Sequence, residues 1–242
     1  MKVAVLSDIH ANLRALEAVL AAIDADPPDE LWCLGDLVGY GPKPNECCAL
    51  VQARASHCLA GNHDLAVRGT IDLADFSGDA GAAARWTRDV LSSEALAYLE
   101  SLEPKGVVDD VALFHGGARD PVWEYVLTDE AALATFRLTE EWLVLVGHSH
   151  VALEIVLRDG ELDGGLAPDG TELDLAGARW ILNPGSVGQP RDGEPRAAYL
   201  VLDLEARRAQ FHRVEYDIAQ TQAEIRDAGL PEMLGLRLQL GQ

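Results

Sequence analysis

Seven side chains of metal-binding type stand in five short segments rich in glycine or turn residues, each following an apolar run. They are Asp8 and His10, Asp36, Asn62, His115, and His148 with His150. His63, beside Asn62, brings five of the chain's seven histidines into these segments. A mixture of carboxylate, imidazole and amide suits Mn²⁺, Fe, Zn²⁺ or a similar first-row metal better than Ca²⁺. Asp36 leaves the run Leu31-Trp32-Cys33-Leu34-Gly35 and enters the turn Gly39-Tyr40-Gly41-Pro42. It reads as a bridge between two ions, because ions roughly 3.5–4 Å apart need a shared ligand and a carboxylate spans them well. Side chains at i and i+2 of an extended chain point the same way, so Asp8 with His10, and His148 with His150, are each expected to reach one ion.

Taken singly, each segment has an ordinary explanation. An Asp after Gly forms turns, and a lone histidine is usually a hydrogen-bonded core or surface residue, the reading given to His57 and His212. It is the joint placement of all five at strand exits that points to a metal centre, since such loops are where α/β proteins place their sites.

The elements that must position them follow from hydropathy. Residues 2–6 form a first strand. Asn12 caps a helix carrying Leu13, Leu16, Val19, Leu20 and Ile23 at helical spacing. Leu31–Leu34 then makes a parallel pair through a βαβ unit. A short helix follows Pro42 and Pro44, and 57–60 is a third strand. Residues 78–91 and 93–102 read as helices, the second capped by Ser92 or Ser93, and 65–102 as a helical cover beside the site. Strands are expected at 107–109, 111–114, 142–146, 151–157, 179–182, 197–204 and 209–214, with a Thr128-capped helix between the second and third. Asp163-Gly164-Gly165 reads as a turn, and the second half as an antiparallel meander.

The 242 residues suit a single domain, 1–242, with one substantial core. No apolar stretch reaches the ~18 residues of a membrane span. The N-terminus runs directly into Ser7-Asp8 with no secretory pattern, so a cytoplasmic protein and no membrane partner are expected. The four cysteines lack CxxC spacing and read as reduced core thiols, not zinc ligands. The formal net charge of -21 repels polyanions, which excludes duplex nucleic acid as a partner; a small phosphate ester binds only where metal ions reverse the local sign.

Asp8-Ile9-His10, Gly35-Asp36, Gly61-Asn62-His63-Asp64, His115 and Gly147-His148-Ser149-His150 together resemble the calcineurin-like metallophosphoesterase superfamily. Gly39-Tyr40-Gly41-Pro42 and Asn183-Pro184-Gly185-Ser186-Val187-Gly188-Gln189-Pro190-Arg191 resemble its small prokaryotic phosphodiesterase branch. The resemblance implies a four-layer α/β/β/α sandwich of two mixed sheets and two divalent ions, Mn²⁺ first, with Fe, Zn²⁺ or Ni²⁺ as other occupants. One ion takes Asp8, His10, Asp36 and His150; the other takes Asp36, Asn62, His115 and His148. A metal-bridging hydroxide would attack a small phosphodiester, His63 would serve the leaving group, and Asp64 would hold the His63 imidazole. Arg191 and Arg119 are candidates to meet a substrate phosphate. Asn183-Pro184-Gly185-Ser186 reads as a rigid turn supporting the site. The rival functions are a protein or small-molecule phosphomonoesterase, a dinucleoside polyphosphate hydrolase, and a non-catalytic metal-binding scaffold.

Overall fold

Alternating apolar residues build the two halves of the protein around one inter-sheet core. The computed structural model describes Met1–Gln242. Its first sheet has the order β3-β2-β1-β11-β12-β9, where β1 is Lys2–Leu6, β2 Glu30–Cys33, β3 His57–Cys58, β9 Glu172–Asp174, β11 Ala197–Asp203 and β12 Arg208–Val214. The second has the order β4-β5-β6-β10-β7-β8, where β4 is Lys105–Val108, β5 Val111–Phe114, β6 Leu143–Leu145, β7 Ala152–Arg158, β8 Glu161–Leu166 and β10 Arg179–Pro184.

In β1, Val3 and Val5 face the second sheet, while Ala4 and Leu6 face helices α1 (Leu13–Ala25), α2 (Pro44–Arg54) and α5 (Ser93–Glu100). In β5 and β6, Val111, Leu113, Leu143 and Leu145 face inward, and Ala112, Phe114 and Val144 face outward onto α6 (Asp129–Leu138). This period of two gives every central strand an apolar residue for each layer. The protein is therefore the four-layer α/β/β/α sandwich of two mixed sheets, its second outer layer built on α6.

The expected caps form. Asn12 Oδ1 accepts from the Ala15 N–H at 3.2 Å, Ser92 Oγ from Ala95, and Thr128 Oγ1 from Ala131. All four cysteines are free thiols, with Cys33, Cys47 and Cys48 buried. No helix is long and apolar enough to cross a membrane.

The second half departs from a meander. β10 lies between β6, to which it is parallel, and β7, to which it is antiparallel; β11 crosses to the first sheet and pairs antiparallel with β1. The Asp163-Gly164-Gly165 turn is instead part of β8, paired with β7 through Glu154↔Gly165 and Ile155↔Gly164. Glycine at 164 is forced by packing rather than by turning, since a Cβ there would lie 2.5 Å from the Glu154 carbonyl oxygen. The short strand β9 carries no apolar run and was not expected.

The C-terminal segment closes over α1. Helix α7 (Ile218–Asp227) and helix α8 (Glu232–Leu236) bury Ile225, Leu230 and Leu234 against Ala83 of α4 (Gly78–Val90). The Arg14 guanidinium on α1 bonds the Glu224 carboxylate at 2.6 Å.

One buried ion pair ties the loop after β10 to β12. Arg213 and Asp192 are paired with side chains only 3% and 6% exposed, and Asp192 also accepts from the Ala152 N–H at 3.2 Å. Asp192→Ala strands a buried guanidinium and is expected to cost about 3–5 kcal/mol. Urea denaturation of the two proteins checks this; a loss below about 1 kcal/mol would show the pair to be dispensable.

Candidate metal centre

All candidate ligands lie within five residues of a strand's carboxyl end. β1, β2 and β3 are mutually parallel, as are β5, β6 and β10, so their exits gather at one edge of the inter-sheet core. Backbone bonds lock the loops together. The Asp8 N–H donates to the Gly35 carbonyl at 3.0 Å, His10 N–H to Asp36 at 2.9 Å, Gly188 N–H to Asp8 at 3.0 Å and Gly147 N–H to His115 at 2.9 Å. Such approach leaves no room for side chains at two glycines. A Cβ at Gly188 would sit 1.8 Å from the Ile9 carbonyl oxygen, and one at Gly61 would sit 2.0 Å from an Asp36 carboxylate oxygen.

Asp8, His10, Asp36, His148 and His150 have φ values of 54°, 49°, 54°, 63° and 60°. The expectation that an extended chain aligns Asp8 with His10 and His148 with His150 is thus corrected. Left-handed turns aim these side chains, at roughly 1–3 kcal/mol of backbone strain each.

The donors form two overlapping groups whose atoms lie within 4.8 Å of one another. One is Asp8, His10, Asp36 and His150; the other is Asp36, His115 and His148. The Asn62 side-chain oxygen joins the second, 3.2 Å from His115 Nε2. Asp36 is common to both, its Oδ2 3.5 Å from Nε2 of His10 and of His115. His10 Nε2 and His150 Nε2 stand 3.0 Å apart. All seven side chains are buried.

Two observations show that these residues fit metal ions. Asp8 Oδ1, Asp36 Oδ2 and His148 Nε2 are buried with no hydrogen-bond partner, in a protein whose other polar atoms are largely satisfied. The opposite atoms are satisfied. Nδ1 of His10, His115 and His150 faces the carbonyls of Val38, Leu34 and Gln189 at 3.1, 2.9 and 2.6 Å. Asp8 Oδ2 accepts from Ser7 Oγ at 2.6 Å and from the His148 N–H at 3.1 Å. Asp36 Oδ1 accepts from the His63 N–H at 2.9 Å. Donation from Nδ1 to a carbonyl leaves Nε2 as the free lone pair, which is how a protein orients imidazole toward a cation.

The supporting turn performs as its sequence suggests. Asn183 Nδ2 donates to the Gly147 carbonyl at 2.7 Å and Ser149 Oγ at 3.0 Å, and Ser186 Oγ donates to the Asp8 carbonyl at 2.7 Å. His57 and His212 stand apart, packed edge-on to Trp32 and stacked on Tyr199.

His63 lies over the cluster, its ring 4.9 Å from His10, 4.5 Å from Tyr40 and 4.8 Å from Phe76. Asp64 does not hold that imidazole. Its carboxylate accepts from the backbone N–H groups of Leu37 and Val38, in the loop after β2, at 3.2 and 3.1 Å, and from that of Gly61, the N-cap of α3 (Asn62–Val67), at 2.9 Å. It fixes the Asp36 loop against the His63 loop instead. Arg191 stands beside Tyr40, which packs on His10: its guanidinium lies 5.7 Å over the Tyr40 ring and bonds Gln189 Oε1 at 2.9 Å, while its buried Nε is unpartnered. Arg119 is engaged elsewhere, pairing with Glu124 and Glu130 at the surface. Spacing alone gave no sign of Phe76, Trp123 or Tyr125, which border the cluster; single aromatics in loops carry no period.

Burial sets the charge state of the centre without metal. It pushes Asp8 up to about 7 and raises Asp36 well above the carboxylate range, the latter helped by the Asp64 charge. It lowers His10 and His150 far below their usual value, His148 to about 2 and His63 to about 3. His10, His63, His148 and His150 are thus already neutral at pH 7, and Asp8 and Asp36 hold protons for a metal to displace. Because the folded Asp8 pKa is raised, its proton is held below about pH 7 and metal affinity falls as pH drops through that value, by about tenfold per unit for each proton displaced. Calorimetric Mn²⁺ titrations in buffers of differing ionisation enthalpy are expected to show at least one proton released at pH 6 and fewer at pH 8; equal release at both would contradict this.

The sequence pattern of the calcineurin-like phosphoesterase superfamily domain matches residues 1–207. The crystal structure of a metallophosphoesterase from Sphaerobacter thermophilus is 45% identical, with a TM-score of 0.90 over 100% of this chain and 99% of that one. An uncharacterised protein of Methanocaldococcus jannaschii is 38% identical over 99% of this chain and 98% of its own length. A symmetrical bis(5'-nucleosyl)-tetraphosphatase of Yersinia enterocolitica is 40% identical over 68 residues, 27% of this chain and 23% of that protein. With its shared fold, its matched motifs and a buried Asp/His cluster suited to divalent metal, the chain belongs to the calcineurin-like phosphoesterase superfamily and is a metal-dependent phosphoesterase.

Proposed function

We propose that the protein is a dinuclear phosphodiesterase of small phosphodiesters, with Mn²⁺ as the metal its donor set suits best. The observation that carries this reading is the pair of unpartnered carboxylate oxygens, Asp8 Oδ1 and Asp36 Oδ2, gathered with imidazoles from three separate loops, among them the unpartnered Nε2 of His148. Asp8, His10, Asp36 and His150 would hold one ion, and Asp36, Asn62, His115 and His148 the other. Two such ions supply Lewis acidity toward the phosphoryl oxygens and an activated water as nucleophile.

The chain's own residues do the rest. Arg191 brings the guanidinium nearest the cluster, suited to a non-bridging phosphoryl oxygen. His63, held neutral by burial and by the Arg191 charge, serves the leaving oxygen as a hydrogen-bond donor. Charge favours diesters. A monoester approaches −2 near neutral pH, its second pKa being about 6, whereas a diester carries one negative charge. A chain of net charge -21 with one arginine at the centre penalises the second charge more.

Hydrolysis of bis(p-nitrophenyl) phosphate and p-nitrophenyl phosphate by the Mn²⁺-loaded protein tests this preference. Faster cleavage of the diester is expected, and preference for the monoester would make the protein a phosphatase. The partial similarity to a symmetrical tetraphosphatase supports a second reading, a dinucleoside polyphosphate hydrolase. Diadenosine tetraphosphate cleaved faster than either nitrophenyl ester would select it.

A further inference from the structure

The aromatic side chains bordering the metal centre form a continuous strip that the ligands do not require. Phe76 packs on His63 at 4.8 Å, Trp123 on Phe76 at 5.4 Å, and Trp123 stands edge-on to His148 at 6.3 Å. Tyr125 lies flat on His148, with centroids 4.3 Å apart and planes 6° from parallel. Phe76 is buried, but Trp123 is 38% and Tyr125 47% exposed. With one face of Tyr125 covered by His148, the exposed area is at its other face and edge. Two large rings are thus left open to solvent beside a candidate ligand, where burial would normally hide them.

The loop that carries them is built, not slack. The Asp120 carboxylate accepts from the Val122 and Trp123 N–H groups at 2.9 and 3.1 Å. The Gly116 N–H bonds the Pro121 carbonyl at 2.8 Å, and the Gly117 N–H bonds Asp120 at 3.0 Å. Arg119 donates from its backbone N–H and Nε to the Glu124 carboxylate, between the two aromatics. That carboxylate fills the space a Cβ at Gly117 would need. Arg119, expected at a substrate phosphate, is in place a splint for this loop.

We propose that Trp123 and Tyr125 are a stacking platform for the base of a nucleoside phosphate ester whose phosphate lies at the metal centre. This rests on the phosphoesterase reading above and narrows its substrate to nucleotides. Flat, uncharged, π-faced groups are what two open rings accept, and every base offers such a face, so discrimination among bases is weak. The alternative, that Trp123 is only a wedge holding Phe76 against His63, leaves the exposed face of Tyr125 without a role. The charge of -21 disfavours long oligonucleotides, so affinity must come from a base rather than from further phosphates.

The test compares adenosine 5′-monophosphate with ribose 5-phosphate, which share the phosphate and differ in the base, by calorimetry on Mn²⁺-loaded protein. Stacking is expected to make the nucleotide bind about five- to 150-fold tighter. That gap is expected to close in Trp123→Ala and Tyr125→Ala and to persist in Trp123→Phe and Tyr125→Phe. Equal affinity of the two ligands for the wild type, or no binding of the nucleotide, would overturn the platform. So would alanine variants that weaken both ligands alike, which marks a structural role. Failure of the wild type to hydrolyse any phosphate ester would instead overturn the hydrolase reading, and the binding comparison does not depend on it.

Discussion

Replacing Asp36 with asparagine is expected to lower metal-dependent turnover by at least about 10³-fold, because Asp36 is the one carboxylate common to both donor groups. Its Oδ2 sits 3.5 Å from imidazoles of two loops with no hydrogen-bond partner, and its Oδ1 is held by the His63 N–H. Asparagine keeps the shape but presents a neutral amide, so two neighbouring cations lose the negative charge that lets them share a site. The metal-free fold gains rather than loses, since a buried carboxylate raised far above its usual range is costly to ionise. Turnover with saturating Mn²⁺ and thermal melting with and without chelator check both halves. The expected result is lost activity, a metal-free melting temperature no lower than wild type, and little added stability from metal. Activity within tenfold of wild type would refute the bridging role.

His63→Ala is expected to reduce cleavage of diesters with poor, alkoxide-like leaving groups by about 10²-fold or more, and of p-nitrophenyl diesters by less than tenfold. The ring covers the cluster beside His10, with Tyr40 and Phe76 fixing its plane. Lowered to about 3, it donates as a neutral imidazole, so the wild-type rate should show no limb titrating near pH 6.5 from this residue. A linear free-energy plot of rate against leaving-group pKa, wild type against variant, measures the effect. Parallel lines would sink the assignment, because a group that acts on the leaving oxygen must change the slope.

The cluster of candidate donors was legible because metal chemistry restricts residue types and strand exits restrict position. Asp8, His10, Asp36, Asn62, His115, His148 and His150 needed only to be recognised as a group. What the sequence concealed is how they converge. Left-handed φ values at Asp8, His10, Asp36, His148 and His150 come from loops zipped to one another across the two sheets, and no local pattern announces that. Asp64 misled for a related reason. Its adjacency to His63 suggested a catalytic partner, whereas the carboxylate turns to three backbone N–H groups, one at the N-cap of its own helix and two in the Asp36 loop.

The strands divide the same way. β1, β5 and β6 carry a residue for each layer and could be read directly. β8 contains two glycines and reads as a turn, though its pairing with β7 requires one of them. That β11 pairs with β1 rather than continuing a meander depends on contacts nearly 200 residues apart, which periodicity cannot reach.

A two-ion centre is tested by titrating chelator-stripped protein with Mn²⁺ while counting bound metal and following bis(p-nitrophenyl) phosphate hydrolysis in the same samples. Activity is expected to rise to its plateau as the second equivalent binds, and Asp36→Asn is expected neither to bind two ions nor to regain turnover. Full activity at one equivalent, or two ions bound as tightly without Asp36, would contradict it.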